Sequence, residues 1–303
     1  MTLALRDLIG PGFLPHVRFD EPLARHTSWH VGGPADAYFT PKSVDELARF
    51  LALLPRTVPV HWLGLGSNVL VRDGGLRGVV VSLHLGLDRL ERLGATRVHA
   101  DAGVPCARVA RQCVKWLLGP AEFFAGIPGT VGGALAMNAG AWGGETWPHV
   151  VEVDVIDRDG ATRTRPASDY RYGYRELRPP VAGEWFIAAR FEFVPQPDAR
   201  TETIKELLEQ RRGTQPIGAW SGGSTFTNPG GDHAARLIEH AGLKGYRIGG
   251  AMVSSKHANF LINEGDATAA DLEQLIAHVQ AEVERRHGVR LVPEVRIIGE
   301  PPL

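Results

Sequence analysis

The chain has 303 residues, of which 44% are hydrophobic and 22% are charged, and its net charge is −1. This composition is typical of a folded globular protein, and the near-zero charge excludes a general attraction to nucleic acid or to a membrane surface. No segment approaches the ~20 apolar residues of a membrane helix, and Met1 to Phe19 has no apolar core of signal-peptide length. We therefore expect a cytoplasmic protein.

The first part of the chain predicts a β-α-β unit. A strand is expected over 35–40, and Ser43 is placed to cap a helix that has Glu46 at its third position and ends near Leu54. Two short β-branched runs, 58–63 and 69–71, read as strands on either side of Gly64-Leu65-Gly66-Ser67-Asn68.

This first glycine-rich loop does not fit a Rossmann fold. A dinucleotide fingerprint needs G-x-G-x-x-G opening a helix, whereas here the third glycine is missing and the next segment is β-branched. The alternative is a strand–turn–strand nest, in which the amides of Gly66, Ser67 and Asn68 could hold a diphosphate.

The middle of the chain predicts a mixed α+β region that ends in a connecting helix at 201–212. Strands are expected at 79–83, 87–93, 97–101, 150–157, 162–165 and 185–194, with a helix at 105–117. Cys106 and Cys113 lie seven residues apart on that helix, roughly 10 Å along its axis, which is too far for a disulfide. We interpret them as small buried residues.

A second glycine-rich run, from Gly126 through Gly133 and on to Ala141, lies within this region. It has almost no side chain, so a large flat ligand or a phosphate can approach its backbone. Thr130 is placed to cap a short helix inside the run. A tight turn packed only for its own sake is the structural alternative.

The last part, from Gln215, predicts a compact domain of about 85 residues. Helices are expected at 234–241 and 269–287, and strands at 251–253, 259–263 and 289–298. The glycine-rich turn before them holds Ser224, but no G-x-S-x-G elbow is present to make it an acyl nucleophile.

Two further residues have both a structural and a chemical interpretation. Arg175 follows Tyr174, and the pair could be an aromatic–arginine stack on a surface loop or could bind a carboxylate that turns into an enolate. Glu294, near the end of the final strand, could be a solvated carboxylate or a functional one.

The ordered combination of these motifs resembles the UDP-N-acetylenolpyruvoylglucosamine reductase family over about residues 25–299. It comprises the two glycine-rich runs, Tyr174-Arg175, Gly-Ser-x-Phe-x-Asn-Pro at 223–229, and Pro-Glu-Val-Arg at 293–296. The segment 256–260, Lys-His-Ala-Asn-Phe, is similar to that of the shorter of two family subtypes.

The resemblance implies an α+β fold: a two-lobed FAD-binding region of the vanillyl-alcohol-oxidase/PCMH type, followed by a smaller α+β substrate-binding domain. The predicted FAD-binding region is 1–212, with lobe one at about 1–75, lobe two at about 76–200 and the connector at 201–212, and the substrate-binding domain is 213–303.

The implied activity is NADPH-dependent reduction of UDP-N-acetylglucosamine enolpyruvate to UDP-N-acetylmuramate, a step of peptidoglycan precursor synthesis. The cofactors are non-covalent FAD and NADPH; no metal is expected. In the family, the hydride passes by way of the flavin to the vinyl carbon, the arginine and the glutamate stabilise the enolate, and the serine donates a proton.

The resemblance assigns site residues in three groups. The catalytic residues are Arg175, Ser224 and Glu294; the cofactor-binding residues are Gly64, Gly66, Ser67, Asn68, Gly126, Ile127, Pro128, Gly129, Thr130, Gly132, Gly133, Asn138, Ala139 and Gly140; and the substrate-binding residues are Tyr174, Asn228, Lys256, His257 and Arg296. Lys244 could contact a ligand or be surface charge.

The sequence departs from the family pattern at a few positions. His26 and His30 replace the usual asparagine and polar or basic residue, and Leu177 occupies a position often held by serine. Thr227 stands where the family often has lysine or arginine, which puts one phosphate contact in doubt. Two other functions remain open: an FAD-dependent alcohol or sugar oxidase of the same superfamily, and a nucleotide-sugar binding protein without turnover.

Overall fold

The computed structural model describes residues 2–302; Met1 and Leu303, the outer limits of the two predicted domains, lie outside the described residues. No helix in the described range combines the length and the apolar character that crossing a membrane requires. The α-helices are α1 Thr2–Leu8, α2 Val44–Leu53, α3 Cys106–Lys115, α4 Val131–Met137, α5 Thr201–Thr214, α6 Ala234–His240 and α7 Ala269–His287.

The strands are short, and most are separated by turns. They are β1 Val17–Pro22, β2 Pro34–Phe39, β3 Val60–Trp62, β4 Val69–Val71, β5 Leu76–Val81, β6 Leu90–Leu93, β7 Arg97–Asp101, β8 Leu118–Gly119, β9 Gly140–Ala141, β10 Gly144–Glu145, β11 Val150–Asp157, β12 Thr162–Pro166, β13 Arg171–Gly173, β14 Glu176–Arg178, β15 Glu184–Glu192, β16 Val194–Pro195, β17 Trp220–Ser224, β18 Arg247–Ile248, β19 Ala251–Val253, β20 Phe260–Asn263 and β21 Arg296–Ile298.

The chain forms two compact units that are discontinuous in sequence. The first consists of the described part of Met1–Phe19 with Ala37–Leu65 and Gly78–Leu208, and the second of Asp20–Asp36, Gly66–Arg77 and Glu209–Leu303 up to residue 302. Segments 20–36 and 66–77 join the second unit because Trp29, Val31 and Leu70 are buried in its core. The functional boundary at 212/213 stays a prediction.

The first unit contains two apolar cores. In one, the apolar face of α3 packs with residues of the antiparallel sheet β12-β11-β15-β7-β6, and both cysteines are fully buried there. The other core joins α2 to residues of β2 and β5, and β3 pairs in parallel with β5. Ser43 caps α2 as predicted, since its Oγ accepts a hydrogen bond from the Glu46 amide at 3.1 Å.

Burial in the first core makes both thiols inert. It raises the pKa of Cys113 to about 12 and that of Cys106 further, because a thiolate loses its hydration in an apolar environment. The interpretation of these residues as small buried side chains is in agreement with this environment.

The second unit places α6 and α7 with the antiparallel sheet β17-β20-β19-β18 around one core. Helix α7 has the predicted bounds, because Thr268 and Asp271 form a capping box at its start and Gly288 adopts a left-handed conformation at its end. Strand β4 pairs in parallel with β21, in the register Val69 to Arg296.

The predicted strand over 289–298 is too long. Strand β21 begins only at Arg296, so Glu294 lies in the connection before the strand rather than within it. Pro293 has no amide hydrogen to give to a regular ladder, and it forms only an isolated bridge with Phe226.

Candidate active site

The first glycine-rich loop is shaped by the protein's own backbone. Gly66 adopts a left-handed conformation with φ of +61°, and a Cβ built on it would lie 2.1 Å from the carbonyl oxygen of His26. A Cβ on Gly64 would lie 2.7 Å from Oγ1 of Thr130. Both glycines are therefore required by close packing inside the protein, a reason that the sequence alone does not reveal.

The residues of both glycine-rich runs fit an anionic cofactor. Among residues 2–302, the backbone amides of Gly66 and Ser67 donate no hydrogen bond, and the same is true of Gly129 and Thr130. Gly66 and Thr130 are also buried. Since buried amides in folded proteins are almost always paired, these groups are suited to the phosphate oxygens of a nucleotide.

The second glycine-rich run is held by the elements that flank α3. The amide of Cys106 donates to the Gly129 carbonyl at 2.9 Å, and the amide of Val131 donates to Val104 at 2.8 Å. Thr130 caps α4 as predicted, accepting from the Gly133 amide at 3.4 Å. The run is thus a fixed backbone surface.

Arg175 lies at the tip of a short hairpin in the first unit. Strands β13 and β14 pair antiparallel with Gly173 opposite Glu176, which leaves Tyr174 and Arg175 as a two-residue turn. Arg175 has φ of +56°, and its Nη2 donates to the carbonyl of Gly140 at 3.0 Å. The predicted arginine is therefore in contact with the second glycine-rich run.

Ser224 and Glu294 lie on neighbouring segments of the second unit. Ser224 ends β17, and the amide of Glu294 donates to the carbonyl of the next residue, Thr225, at 2.8 Å. The Asn68 side chain donates to the Glu294 carbonyl at 3.1 Å. Residues predicted for catalysis and for cofactor binding are thus brought together, whereas Arg175 belongs to the first unit.

Asn259, which the sequence motifs do not assign to the site, supports this cluster. It is buried, its Oδ1 accepts from the Phe226 amide at 3.0 Å and its Nδ2 donates to the Phe226 carbonyl at 2.8 Å. Its backbone carbonyl accepts from Thr225 at 2.8 Å. Asn259 therefore fixes the segment that follows Ser224. In the sequence, its place in the motif Lys-His-Ala-Asn-Phe was the feature that could have pointed to it.

The other predicted substrate-binding residues have varied surroundings. Tyr174 is exposed and the Arg175 guanidinium lies 5.3 Å from its ring centre, which is the stacked arrangement that the sequence left open. Asn228 Oδ1 accepts from the Ala234 amide at the start of α6, and Lys256 Nζ donates to the carbonyl of Arg212 at 2.5 Å. The Arg296 side chain is exposed.

The burial of two histidines makes the stability of the protein depend on pH. Burial lowers the pKa of His257 below its ordinary value of 6.5, with the charge of Lys244 as a smaller cause. Burial likewise lowers the pKa of His149, whose ring stacks on those of Phe123 and Phe193. Both imidazoles are therefore more difficult to protonate in the folded protein than in the unfolded chain.

We expect the free energy of unfolding to fall as the pH is lowered through 6.5, because the unfolded chain then takes up protons that folded His149 and His257 refuse. Urea denaturation at about pH 7.5 and about pH 5.5 measures this loss. A variant carrying His149→Gln and His257→Gln should lose less stability over that interval than the parent. An equal loss in both proteins would contradict the assignment.

Comparison with known proteins gives the order of domains that the sequence predicted. Residues 35–165 match the FAD binding domain family, and residues 215–298 match the family described as UDP-N-acetylenolpyruvoylglucosamine reductase, C-terminal domain. The predicted fold class, a mixed α and β chain with an FAD-binding region followed by a smaller C-terminal domain of the reductase family, is confirmed by these matches.

Curated relatives match over nearly the whole chain. The UDP-N-acetylenolpyruvoylglucosamine reductase of Alkalilimnicola ehrlichii is 56% identical over 98% of this chain and 99% of its own. That of Methylococcus capsulatus is 55% identical over 92% of each chain. The crystal structure of the Thermus caldophilus reductase superposes with a TM-score of 0.78 at 32% identity, covering 93% of this chain and 97% of that one. The chain therefore belongs to the UDP-N-acetylenolpyruvoylglucosamine reductase family of FAD-dependent oxidoreductases.

Proposed function

We propose that this protein uses NADPH and FAD to reduce UDP-N-acetylglucosamine enolpyruvate to UDP-N-acetylmuramate in peptidoglycan precursor synthesis. Family membership supports the reaction class. The observation that carries the assignment of residues is the 2.8 Å hydrogen bond from the Glu294 amide to the Thr225 carbonyl. It makes neighbours of Ser224 and Glu294, which lie 70 residues apart in the sequence.

The glycine-rich runs are proposed to hold FAD through their backbone. The amides of Gly66, Ser67, Gly129 and Thr130 have no acceptor among residues 2–302 and are available to phosphate oxygens. When bound, FAD supplies the hydride chemistry that connects NADPH to the enolpyruvyl group. The other proposed cofactor-binding residues are Gly64, Asn68, Gly126, Ile127, Pro128, Gly132, Gly133, Ala139 and Gly140.

Three side chains are proposed to act on the substrate. Arg175 holds the enolpyruvyl carboxylate, and its fixed charge stabilises the enolate that forms beside it. Glu294 contributes to stabilising that state, on the family's assignment. The Ser224 hydroxyl donates a proton to the carbon that carries the negative charge, because a carbanion in a closed site needs a positioned donor. The product gains a hydride on one carbon and a proton on its neighbour.

A flavin spectrum tests the proposal directly. The purified protein should be yellow, NADPH should bleach the absorbance under anaerobic conditions, and UDP-N-acetylglucosamine enolpyruvate should restore it. Rapid formation of hydrogen peroxide with a sugar alcohol would instead favour an oxidase. Binding of the nucleotide sugar without any restoration would indicate a binding protein. The predicted cytoplasmic location stays a prediction.

A lysine substitution tests the substrate-binding assignment. Lys256→Ala should weaken binding of the nucleotide sugar by about 1.5–3 kcal/mol if a charge-assisted hydrogen bond is lost, while bleaching by NADPH changes much less. Isothermal titration gives the dissociation constant. Lys205→Ala, on the exposed face of α5 where Lys205 lies 3.7 Å from Glu202, is the matched control for loss of one positive charge.

The alternative role of Lys256 is structural, since its Nζ also contacts the Arg212 carbonyl in the last turn of α5. An unchanged dissociation constant together with a lower thermal midpoint would support that role and overturn the ligand contact.

A further inference from the structure

Asn138 is the most highly bonded polar side chain near the second glycine-rich run. It is fully buried and ends α4 in a left-handed conformation with φ of +47°. Its Oδ1 accepts from the Trp147 amide at 3.0 Å, and its Nδ2 donates to Glu145 Oε2 at 3.0 Å and to the carbonyl of Gly173 at 2.9 Å. Both amide hydrogens are therefore used within the protein.

Gly173 is the last residue of β13, directly before the turn formed by Tyr174 and Arg175. The hairpin that carries this turn has three residues in each strand, most of them exposed, and forms a two-stranded sheet of its own. An isolated short hairpin is marginally stable at best. Its position is therefore decided by its anchors: the Asn138 bond to Gly173, the Arg175 bond to Gly140, the stacking of Tyr172 on Trp147, and the packing of Leu177 against the first core.

Three of the seven described non-glycine residues with positive φ lie at the same place. Asn138, Trp142 and Arg175 have φ of +47°, +50° and +56°. They lie in the glycine-rich run, directly after it, and in the hairpin bonded to it, respectively. Such conformations persist where the surrounding structure fixes them, and they are common at functional sites. A side chain that holds this arrangement together would also hold Arg175.

We propose that Asn138 is a positioning residue: its amide fixes the hairpin so that the Arg175 guanidinium is held ready for the enolpyruvyl carboxylate. This inference rests on the role of Arg175 in the proposed function. Binding of the cofactor by Asn138 stays a prediction, and it cannot depend on the side-chain amide hydrogens, because both are already donated within the protein.

Two variants distinguish the effect of losing the Asn138 side chain from the effect of changing the backbone conformation at this position. Asn138→Gly keeps a residue suited to positive φ but removes the amide, and Asn138→Asp keeps the size and the acceptor for Trp147 but removes both donors. Each should lower kcat by roughly 10- to 100-fold, the range for a displaced catalytic group, with FAD content unchanged. Leu117→Gly, at φ of +56° on an exposed side chain, is the matched control.

Epistasis with Arg175 shows whether Asn138 acts through it. Added to Arg175→Ala, Asn138→Gly should cause no further loss of kcat. An equal loss in the Arg175→Ala and parent backgrounds would overturn the proposal, and so would loss of FAD from either Asn138 variant.

Hydrogen exchange of the amides in 171–178 keeps this test separate from the proposed function. Exchange there should be faster in both Asn138 variants than in the parent and the Leu117→Gly control. Unchanged exchange would overturn the positioning role. If exchange is faster in the Asn138 variants but Arg175→Ala leaves kcat unchanged, Asn138 does anchor the hairpin. The catalytic role of Arg175 is then rejected instead.

Discussion

Ser224→Ala is expected to retain FAD, to be bleached by NADPH at a nearly normal rate, and to stall when the nucleotide sugar is added. The proton is needed only after the hydride has reached the substrate, so the loss of its donor affects the second half-reaction alone. General-acid groups typically contribute about 10²–10⁴-fold, or about 3–5 kcal/mol of barrier. Stopped-flow flavin absorbance measures each half-reaction separately.

Two variants serve as comparisons for Ser224→Ala. Ser221→Ala removes a hydroxyl from the same strand, opposite Ile262, and should change neither half-reaction. Ser224→Cys should keep part of the turnover, because a thiol can also donate a proton. Equal slowing of both half-reactions by alanine would show that Ser224 is structural, and no slowing would show that the proton comes from elsewhere.

Gly66→Val is expected to give protein that is less stable and lacks FAD. The left-handed conformation alone costs about 1–2 kcal/mol for a residue with a Cβ. The added Cβ would also overlap the His26 carbonyl oxygen at 2.1 Å, so the backbone of the loop must move. Flavin content after gentle purification and the thermal midpoint measure the two effects.

Gly133→Ala tests cofactor contact without this clash. A Cβ on Gly133 would meet only the Thr130 hydroxyl oxygen at 3.8 Å, an ordinary contact, and alanine favours the helix in which Gly133 lies. Loss of FAD without loss of stability would then mean that the cofactor occupies this space. Full FAD occupancy in Gly66→Val would contradict the role of the first glycine-rich loop.

The sequence by itself determined the local elements and the family. Helix α7 was predicted with its observed bounds, and Ser43 and Thr130 cap α2 and α4 as predicted. These features depend on periodicity and capping, which act over a few residues. The ordered motifs identified the family, and with it the FAD cofactor, because their combination over most of the chain is highly specific.

Only the tertiary structure decided which residues of distant segments meet. It places Glu294 beside Thr225 in a connection rather than in a strand, and it occupies the side chain of Asn138 with three partners from two segments. It also shows that position 66 must be glycine, because a side chain there would overlap the backbone of His26. Contacts of this kind join residues as far apart in the sequence as Asn68 and Glu294, which are 226 positions apart. No local pattern encodes them, because they depend on how whole strands and loops pack.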